Sequence, residues 1–264
     1  MRWGTAIAML VALIAPVAQA TVVTGPTPSV TNPFLVRDGA VDYRSYASPV
    51  PGKFLFAPTM GSLQEANIGR LSRSDRTAFW INAYNYLTID LIVREWRARN
   101  GRLKSIKDIP APWSRPKWIV AGRTVTLDQI EHDILRKEFQ EPRIHFALVC
   151  ASKSCPALRP TGFQGEFLDA QLDSAAREFV LDSSRNDFTP RDGKIRISKI
   201  FDWYKEDFVG VYSDAELERL YGEKVGAVLA YVARFLPADT VAALRAKRMR
   251  VTYLPYDWSL NIVP

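Results

Sequence analysis

A segment that is apolar on nearly every side places the strongest constraint on how this chain can fold. Ser72 or Ser74 can cap a helix that runs from about Asp75 to Arg97, and its centre reads Ala-Phe-Trp-Ile-Asn-Ala-Tyr-Asn-Tyr-Leu. A helix that is hydrophobic all round is buried inside a core instead of lying on a surface. We therefore predict a central buried helix around which the other elements pack.

The same helix carries two asparagines, Asn82 and Asn85. Residues three apart share a face of a helix, and a buried amide needs hydrogen-bond partners. One interpretation is structural, with both amides pinning neighbouring loops. The other is substrate binding, in which an amide donates to an oxyanion or contacts a substrate amide. Both alternatives are kept.

Composition limits the class of protein. The chain has 264 residues, of which 47% are hydrophobic and 24% charged, as in soluble globular proteins. Disorder, collagen and a disulfide-rich miniprotein are excluded. The formal net charge of +7 suits contact with anionic envelope surfaces. It does not indicate nucleic-acid binding, and no nucleic-acid partner is expected.

The first twenty residues predict a secretory signal peptide. Arg2 supplies a positive start, the apolar stretch Ala6–Val17 is too short to span a bilayer, and Ala18-Gln19-Ala20 is a cleavage site of the A-x-A type. We expect cleavage after Ala20 and a periplasmic or secreted protein. No cysteine directly follows the site, so no lipid attachment is expected. No later apolar run is long enough to predict a transmembrane span.

The remaining chain predicts one domain behind an irregular start. Residues 21–51 are rich in Pro, Ser, Thr and Gly, which favours an extended N-terminal arm, and residues 52–264 show no internal boundary. Many helices and few scattered strands predict a single α+β domain, mostly helical with a small sheet. Capping boxes are predicted at Thr126 with Gln129 and at Ser213 with Glu216. Further helices are expected over 165–180 and from 239, and strands over 124–126, 144–150, 194–198 and 251–254.

The two cysteines and two histidines of the chain lie close together in sequence: His132, His145, Cys150 and Cys155. Three interpretations of this cluster compete. The first is a disulfide, because a C-x₄-C pair can close a small loop in an oxidising compartment if the Cα atoms lie within about 7 Å. The second is a thiol nucleophile. The third is a zinc site, but the spacing matches no standard motif, so neither a metal nor another cofactor is predicted.

The nucleophile interpretation makes Cys150 the attacking thiol, which needs a base to form its thiolate. If residues 144–150 form a regular strand, His145 points to the face opposite Cys150 and is a poor base. His132, on a neighbouring helix, has no such restriction. Glu131 falls within the apolar stripe of that helix and can orient the base as the third catalytic residue. The pairing of histidine and cysteine stays open.

Glu131 also has a structural interpretation, since a carboxylate in an apolar stripe can pair with a buried arginine such as Arg136 or Arg143. Aromatic residues such as Trp203 and Tyr204 are interpreted as core.

Six ordered blocks resemble a bacterial family catalogued as domain of unknown function 547. The blocks are Phe79–Asn85, Ile130–Arg136, Ile144–Cys150, Ser154–Leu158, Trp203–Phe208 and Tyr256–Asn261. The resemblance covers roughly residues 54–261. It implies an α+β fold distantly similar to the papain and transglutaminase-like cysteine enzymes. It also implies a catalytic set that maps onto Cys150, His132 or His145, and Glu131.

Two functional hypotheses follow. The first is a secreted cysteine-dependent hydrolase or acyl transferase that acts on an amide or ester, with a peptide or another cell-envelope molecule as substrate. The second is a non-enzymatic envelope binding module in which Cys150 and Cys155 form a disulfide that shapes a groove. An oxidised pair favours the second hypothesis, and a free reactive thiol favours the first.

Overall fold

Helix α3 (Arg73–Ala98) runs through the centre of the fold, as predicted. Every residue from Thr77 to Ile89 is buried, in keeping with a sequence that is apolar all round. The Ser72 side chain accepts a hydrogen bond from the backbone N–H of Asp75 at 3.0 Å, and this N-cap starts the helix. The computed structural model describes residues 36–47, 56–246 and 249–264.

Other helices surround α3. The α-helices are α1 (Tyr43–Ala47), α2 (Phe56–Glu65), α4 (Leu168–Leu181), α5 (Ile200–Trp203), α6 (Ala215–Tyr221), α7 (Glu223–Val232) and α8 (Ala238–Ala246). A π-helix covers Gln129–Phe139, and short 3-10 helices cover Ile106–Asp108, Pro142–Phe146, Gly165–Phe167 and Lys205–Phe208. None of the helices in the described ranges is both long and apolar enough to cross a membrane.

The strands form small sheets. Two are antiparallel pairs: β1 (Val36–Arg37) with β2 (Ala40–Val41), and β3 (Trp118–Val120) with β4 (Arg123–Val125). The third has the order β5 (Asp187–Arg191), β6 (Lys194–Ile197) and β7 (Arg250–Tyr253). In that sheet β5 and β6 are antiparallel, while β6 and β7 are parallel with Ile195 opposite Val251. The predicted single α+β domain is confirmed.

Two hydrophobic clusters make up the core. The larger one is built around α3. The smaller one groups α4, α7 and the third sheet around the ring of Phe146, which lies 5.2 Å from the ring of Phe179 and 5.7 Å from that of Phe201. Cys155 belongs to the first cluster and Cys150 packs against it, whereas Tyr204 and Tyr256 pack on the second. The two cysteines, Tyr204 and Tyr256 therefore meet at the boundary between the two clusters.

The strand predicted over Ile144–Cys150 is wrong. The segment begins in the 3-10 helix Pro142–Phe146 and continues as an irregular loop. Asn85 explains the loop, because its amide donates to the carbonyl of Ala147 at 2.9 Å and accepts from the N–H of Val149 at 2.8 Å. These are backbone groups that a neighbouring strand would otherwise have paired.

Smaller differences concern helix starts and the N-terminal region. The capping box at Thr126 forms, but α6 is capped by Asp214 and not by Ser213, whose hydroxyl bonds Glu218 instead. Residues 36–47, which fall within the stretch predicted as an extended arm, form β1, β2 and α1, and Val41 and Tyr43 are buried. The predicted signal peptide, residues 1–20, lies outside the described residues.

Candidate functional site

A cavity of about 290 Å³ lies at the boundary between the two clusters. Its walls come from distant parts of the chain: α3, the π-helix, the loop of the two cysteines, α5 and the C-terminal residues. All four residues predicted as a catalytic set line it, namely Glu131, His132, His145 and Cys150. The structure thus brings the candidate residues together.

Cys150 and Cys155 are joined in a disulfide, with their Cα atoms 6.2 Å apart. The loop between them turns at Ala151, which has the positive φ of 62°. The C-terminal segment holds this loop, since Lys153 N–H donates to the carbonyl of Ser259 at 2.9 Å. A bonded sulfur has no free thiolate, so a nucleophilic role for Cys150 requires reduction first.

Hydroxyl groups and a backbone amide surround the disulfide. Cys155 Sγ lies 3.2 Å from Tyr256 Oη, 3.3 Å from Ser152 Oγ and 3.0 Å from the backbone nitrogen of Cys150. Burial raises the pKa of Tyr256 to about 12, so its hydroxyl stays protonated and able to donate. Among the described residues, the hydrogen-bond partners of Cys150 Sγ are Ser152 and Tyr256, and neither histidine is among them.

His145 is held by Asp207, a carboxylate that the sequence analysis did not identify. His145 Nε2 lies 2.7 Å from Asp207 Oδ2, and the imidazole stacks on the ring of Tyr204 with centroids 3.8 Å apart. Arg136 donates two hydrogen bonds of 2.7 Å to the same carboxylate. Burial raises the pKa of Asp207, but the bonds from His145 and Arg136 outweigh it and hold that pKa well below its usual range. With Nε2 occupied, Nδ1 is the ring nitrogen of His145 left for other partners.

Glu131 has tyrosines as partners. It accepts a hydrogen bond of 2.7 Å from the hydroxyl of Tyr204, and Tyr84 also hydrogen-bonds it. Burial, followed by the nearby Glu131 carboxylate, raises the pKa of both tyrosines well above the usual range. The predicted ion pair with an arginine is wrong, because Arg136 binds Asp207 and Arg143 binds Glu141 and other acids. Asp207, and not Glu131, orients a histidine.

His132 lies nearer to solvent, with 40% of its side chain exposed. Its Nδ1 lies 3.0 Å from an Nη atom of Arg136. Because guanidinium can only donate, Nδ1 is the acceptor, and a neutral His132 carries its proton on Nε2. Asp128 lies 4.0 Å from that Nε2, and burial raises the pKa of Asp128.

The side chains of Asn82 and Asn85 form hydrogen bonds with backbone groups and do not line the cavity. The Asn82 amide donates to the carbonyl of Phe163 at 2.8 Å and accepts from its N–H at 2.8 Å, while Asn85 fixes the loop before Cys150. Both side chains are buried, and both ends of each amide are occupied. These bonds support the structural alternative over substrate binding.

An aromatic wall forms one side of the cavity. We use this name for Trp203, Tyr256 and Trp258, whose ring centroids lie 4.8 Å, 4.5 Å and 5.7 Å apart in pairs. Trp203 is 42% exposed, so its interpretation as a core residue is wrong. Sequence reasoning missed the wall and Asp207 as site residues. All of these residues lie in the blocks Trp203–Phe208 and Tyr256–Asn261, which resemble the family, and that position could have marked them as candidate site residues.

Comparison with known proteins supports the resemblance over part of the chain. Residues 68–180 match the model of a family described as "Protein of unknown function, DUF547". The matched segment contains α3, the π-helix and both cysteines. No curated protein and no solved structure matches the chain. In the described ranges, no group of three or more His, Cys, Asp and Glu side chains is placed to hold a metal ion.

Proposed function

We propose that this protein is a cell-envelope binding module whose cavity holds a peptide-like ligand against the aromatic wall. The observation that carries the proposal is the cavity of about 290 Å³, formed with the two cysteines already paired. Ligand sites are usually preformed, largely apolar clefts with a few fixed polar groups. Here the polar groups are held by hydrogen bonds that need no ligand, as between Glu131 and Tyr204.

The charges of the cavity define the class of ligand. Asp128 and Glu131 line it, whereas no lysine or arginine does so among the described residues, although the chain as a whole is basic. Such a site favours a neutral or cationic ligand over an anion. An exposed indole such as Trp203 binds a flat apolar group or a cation by its face. An envelope peptide that carries a free amine fits both requirements.

The predicted signal peptide supports an envelope location, where such peptides occur and where disulfides persist. Peptidoglycan stem peptides are the class that we would test first.

Binding can be measured by tryptophan fluorescence or calorimetry on the oxidised protein, with a soluble muropeptide that bears a free diamino-acid amine. The same muropeptide after N-acetylation tests the contribution of the charge. We expect saturable binding that weakens on acetylation and falls about tenfold in Trp203→Ala, as for an aromatic side chain that a ligand covers. Phe167→Ala is the matched control, because Phe167 is 50% exposed and does not line the cavity. Absence of saturable binding to either peptide form would contradict the proposal.

A cysteine-dependent hydrolase or acyl transferase is the second candidate, favoured by the hydrogen bond between His145 and Asp207 in the cavity that Cys150 lines. After reduction, the Cys150 thiolate would attack an amide or ester carbonyl. His145 Nδ1 would first accept the thiol proton of Cys150. The bond to the leaving amine or alcohol would break as the thioester to Cys150 forms, and His145 would give that proton to the leaving group. Water would then hydrolyse the thioester, or another nucleophile would take the acyl group. The Asn82 amide is occupied by Phe163, so backbone N–H groups would have to stabilise the oxyanion.

The second candidate is tested by alkylating the reduced protein with iodoacetamide over a range of pH and locating the label by mass spectrometry. A Cys150 pKa well below the free-thiol value of about 8.5 supports it. Hydrolysis of an ester or amide by reduced protein that Cys150→Ala leaves unchanged would exclude Cys150 as the nucleophile.

A further inference from the structure

We propose that the disulfide between Cys150 and Cys155 is redox-active and exchanges with a dithiol, with Cys150 as the sulfur attacked and Cys155 as the leaving group. This activity rests on the surroundings of the two sulfurs and does not depend on ligand binding to the aromatic wall. The substrate class is a pair of thiols that can close to a disulfide, such as the two cysteines of an unfolded or redox-active protein.

The two sulfurs differ in accessibility. Cys150 is partly exposed, whereas Cys155 is 3% exposed, and both line the cavity. In thiol–disulfide exchange, access decides which sulfur an incoming thiolate attacks. The more exposed residue of the pair is therefore the electrophile, and a substrate thiol can approach it through the cavity.

The surroundings of Cys155 are suited to a departing thiolate. Its sulfur lies within hydrogen-bond distance of three donors: Tyr256 Oη–H at 3.2 Å, Ser152 Oγ–H at 3.3 Å and the backbone N–H of Cys150 at 3.0 Å. Each hydroxyl has one proton. The Tyr256 proton can point to Cys155 Sγ, while the Ser152 proton can go either to Cys155 Sγ or to Tyr256 Oη at 3.1 Å, where it strengthens Tyr256 as a donor. Hydrogen bonds to a charged acceptor are stronger than those to a neutral one, so these donors favour the thiolate over the bonded sulfur. A more stable leaving thiolate departs faster.

The loop keeps other attachments when the disulfide opens. Arg185 donates to the carbonyl of Cys155 from Nε at 3.1 Å and from an Nη atom at 3.0 Å. On the other side, Asn261 N–H donates to the carbonyl of Ala151 at 3.0 Å, and Ser154 N–H donates to the carbonyl of Asp257 at 3.3 Å. The cysteines are five positions apart in sequence, so the bond closes only a short loop. The reduced protein can therefore retain the geometry needed to re-form the bond.

The exchange takes place in two steps. A substrate thiolate attacks Cys150 Sγ, a mixed disulfide forms, and the bond to Cys155 breaks with both of its electrons on Cys155. The second substrate thiolate then attacks the substrate sulfur of the mixed disulfide and releases Cys150 as a thiolate. The substrate dithiol loses two electrons and two protons and becomes a disulfide, while the protein pair is reduced to two thiols. The same two steps in the reverse direction reduce a substrate disulfide.

The first experiment measures the reduction of the full-length native protein by dithiothreitol, which is itself a dithiol. Samples are quenched with N-ethylmaleimide and the modified cysteines counted by intact mass. We expect reduction without denaturant, and about tenfold slower reduction in Tyr256→Phe, which keeps the ring but loses a donor. Tyr253→Phe is the matched control and should reduce at the native rate. A native disulfide that dithiothreitol opens only in denaturant, or equal rates in Tyr256→Phe and the native protein, would overturn the proposal.

The second experiment tests the order of the sulfurs with a matched pair of variants, each with one free thiol. Cys155→Ser leaves Cys150, and Cys150→Ser leaves Cys155. With glutathione disulfide, we expect the Cys150 thiol to form its mixed disulfide at least about tenfold faster than the Cys155 thiol, because Cys155 is buried. Far-ultraviolet circular dichroism confirms that both variants are folded. Equal rates in two folded variants would refute the assignment of Cys150 as the attacked sulfur.

Discussion

Replacing Asp207 by asparagine removes the charge that holds His145 and Arg136 together. The carboxylate accepts three hydrogen bonds of 2.7 Å, two from Arg136 and one involving His145, and only 21% of its side chain is exposed. An asparagine cannot accept at both of its terminal atoms, so the partly buried guanidinium of Arg136 loses part of its pairing. Breaking a partly buried network of this kind costs roughly 2–4 kcal/mol of unfolding free energy.

Urea denaturation at pH 7, followed by far-ultraviolet circular dichroism, measures the loss. Asp202→Asn is the matched control, because Asp202 is a neighbouring acid with 26% of its side chain exposed whose ion-pair partners, within the described part of the chain, are Lys199 and Lys205. Its lysine partners are 37% and 32% exposed, and ion pairs with such mobile ammonium groups contribute about 0–1 kcal/mol each, so the control should lose less than Asp207→Asn. Losses that agree within about 0.5 kcal/mol for the two variants would refute the assignment of Asp207 as the organising carboxylate.

The effect of Asp207→Asn also depends on pH. The folded pKa of Asp207 is depressed, so the stabilisation is complete above the unfolded-state value of about 4 and decreases as the pH falls below that value towards the folded pKa. The free-energy difference between native protein and Asp207→Asn should therefore shrink between pH 5 and the most acidic pH at which both proteins fold. A difference that grows as the pH falls would contradict this sign.

Three further predictions concern stability and the tyrosine cluster. Asn85→Ala should lower the unfolding free energy by about 2–3 kcal/mol in urea denaturation, because it leaves two buried backbone groups unpaired; no loss would contradict its structural role. Joint replacement of Cys150 and Cys155 by serine should cost only about 2 kcal/mol, since the loop is short, and a loss of the folded circular dichroism spectrum would disprove this. Tyr204→Phe should leave the Glu131 carboxylate with one tyrosine donor, and infrared spectroscopy should show its carboxylate band shift in that variant; an unchanged band would count against the bond.

The sequence predicted those features that depend on local pattern. The central helix followed from an apolar sequence that leaves no polar face, and the burial of Glu131 followed from its place in an apolar stripe. Residues 144–150 were misassigned because short apolar runs fit a strand as well as an irregular buried segment. The deciding contact comes from Asn85, a residue on another element. Local periodicity contains no information about such a contact.

The partners within the cavity could not be predicted for the same reason. Asp207 meets His145 across 62 positions, and Tyr256 meets Ser152 across 104. Residues so far apart come together only when the two hydrophobic clusters pack. The cysteines and histidines that cluster in the sequence all line the cavity, but Glu131 was taken as the orienting acid because it falls within the apolar stripe of its helix, and that pattern contains no information about Asp207.

Tyr256 belongs both to the aromatic wall and to the donors around Cys155, so it connects the two proposed activities. Its ring is part of the aromatic wall, and its hydroxyl donates a hydrogen bond to Cys155 Sγ. Tyr256→Phe keeps the first and removes the second, whereas Trp203→Ala removes an exposed part of the wall and leaves the three donors on Cys155 in place. Slow exchange with normal peptide binding in Tyr256→Phe, and the opposite result in Trp203→Ala, would therefore mean that the cavity combines two separable functions. Equal losses of both activities in both variants would mean that the ligand reaches the disulfide itself.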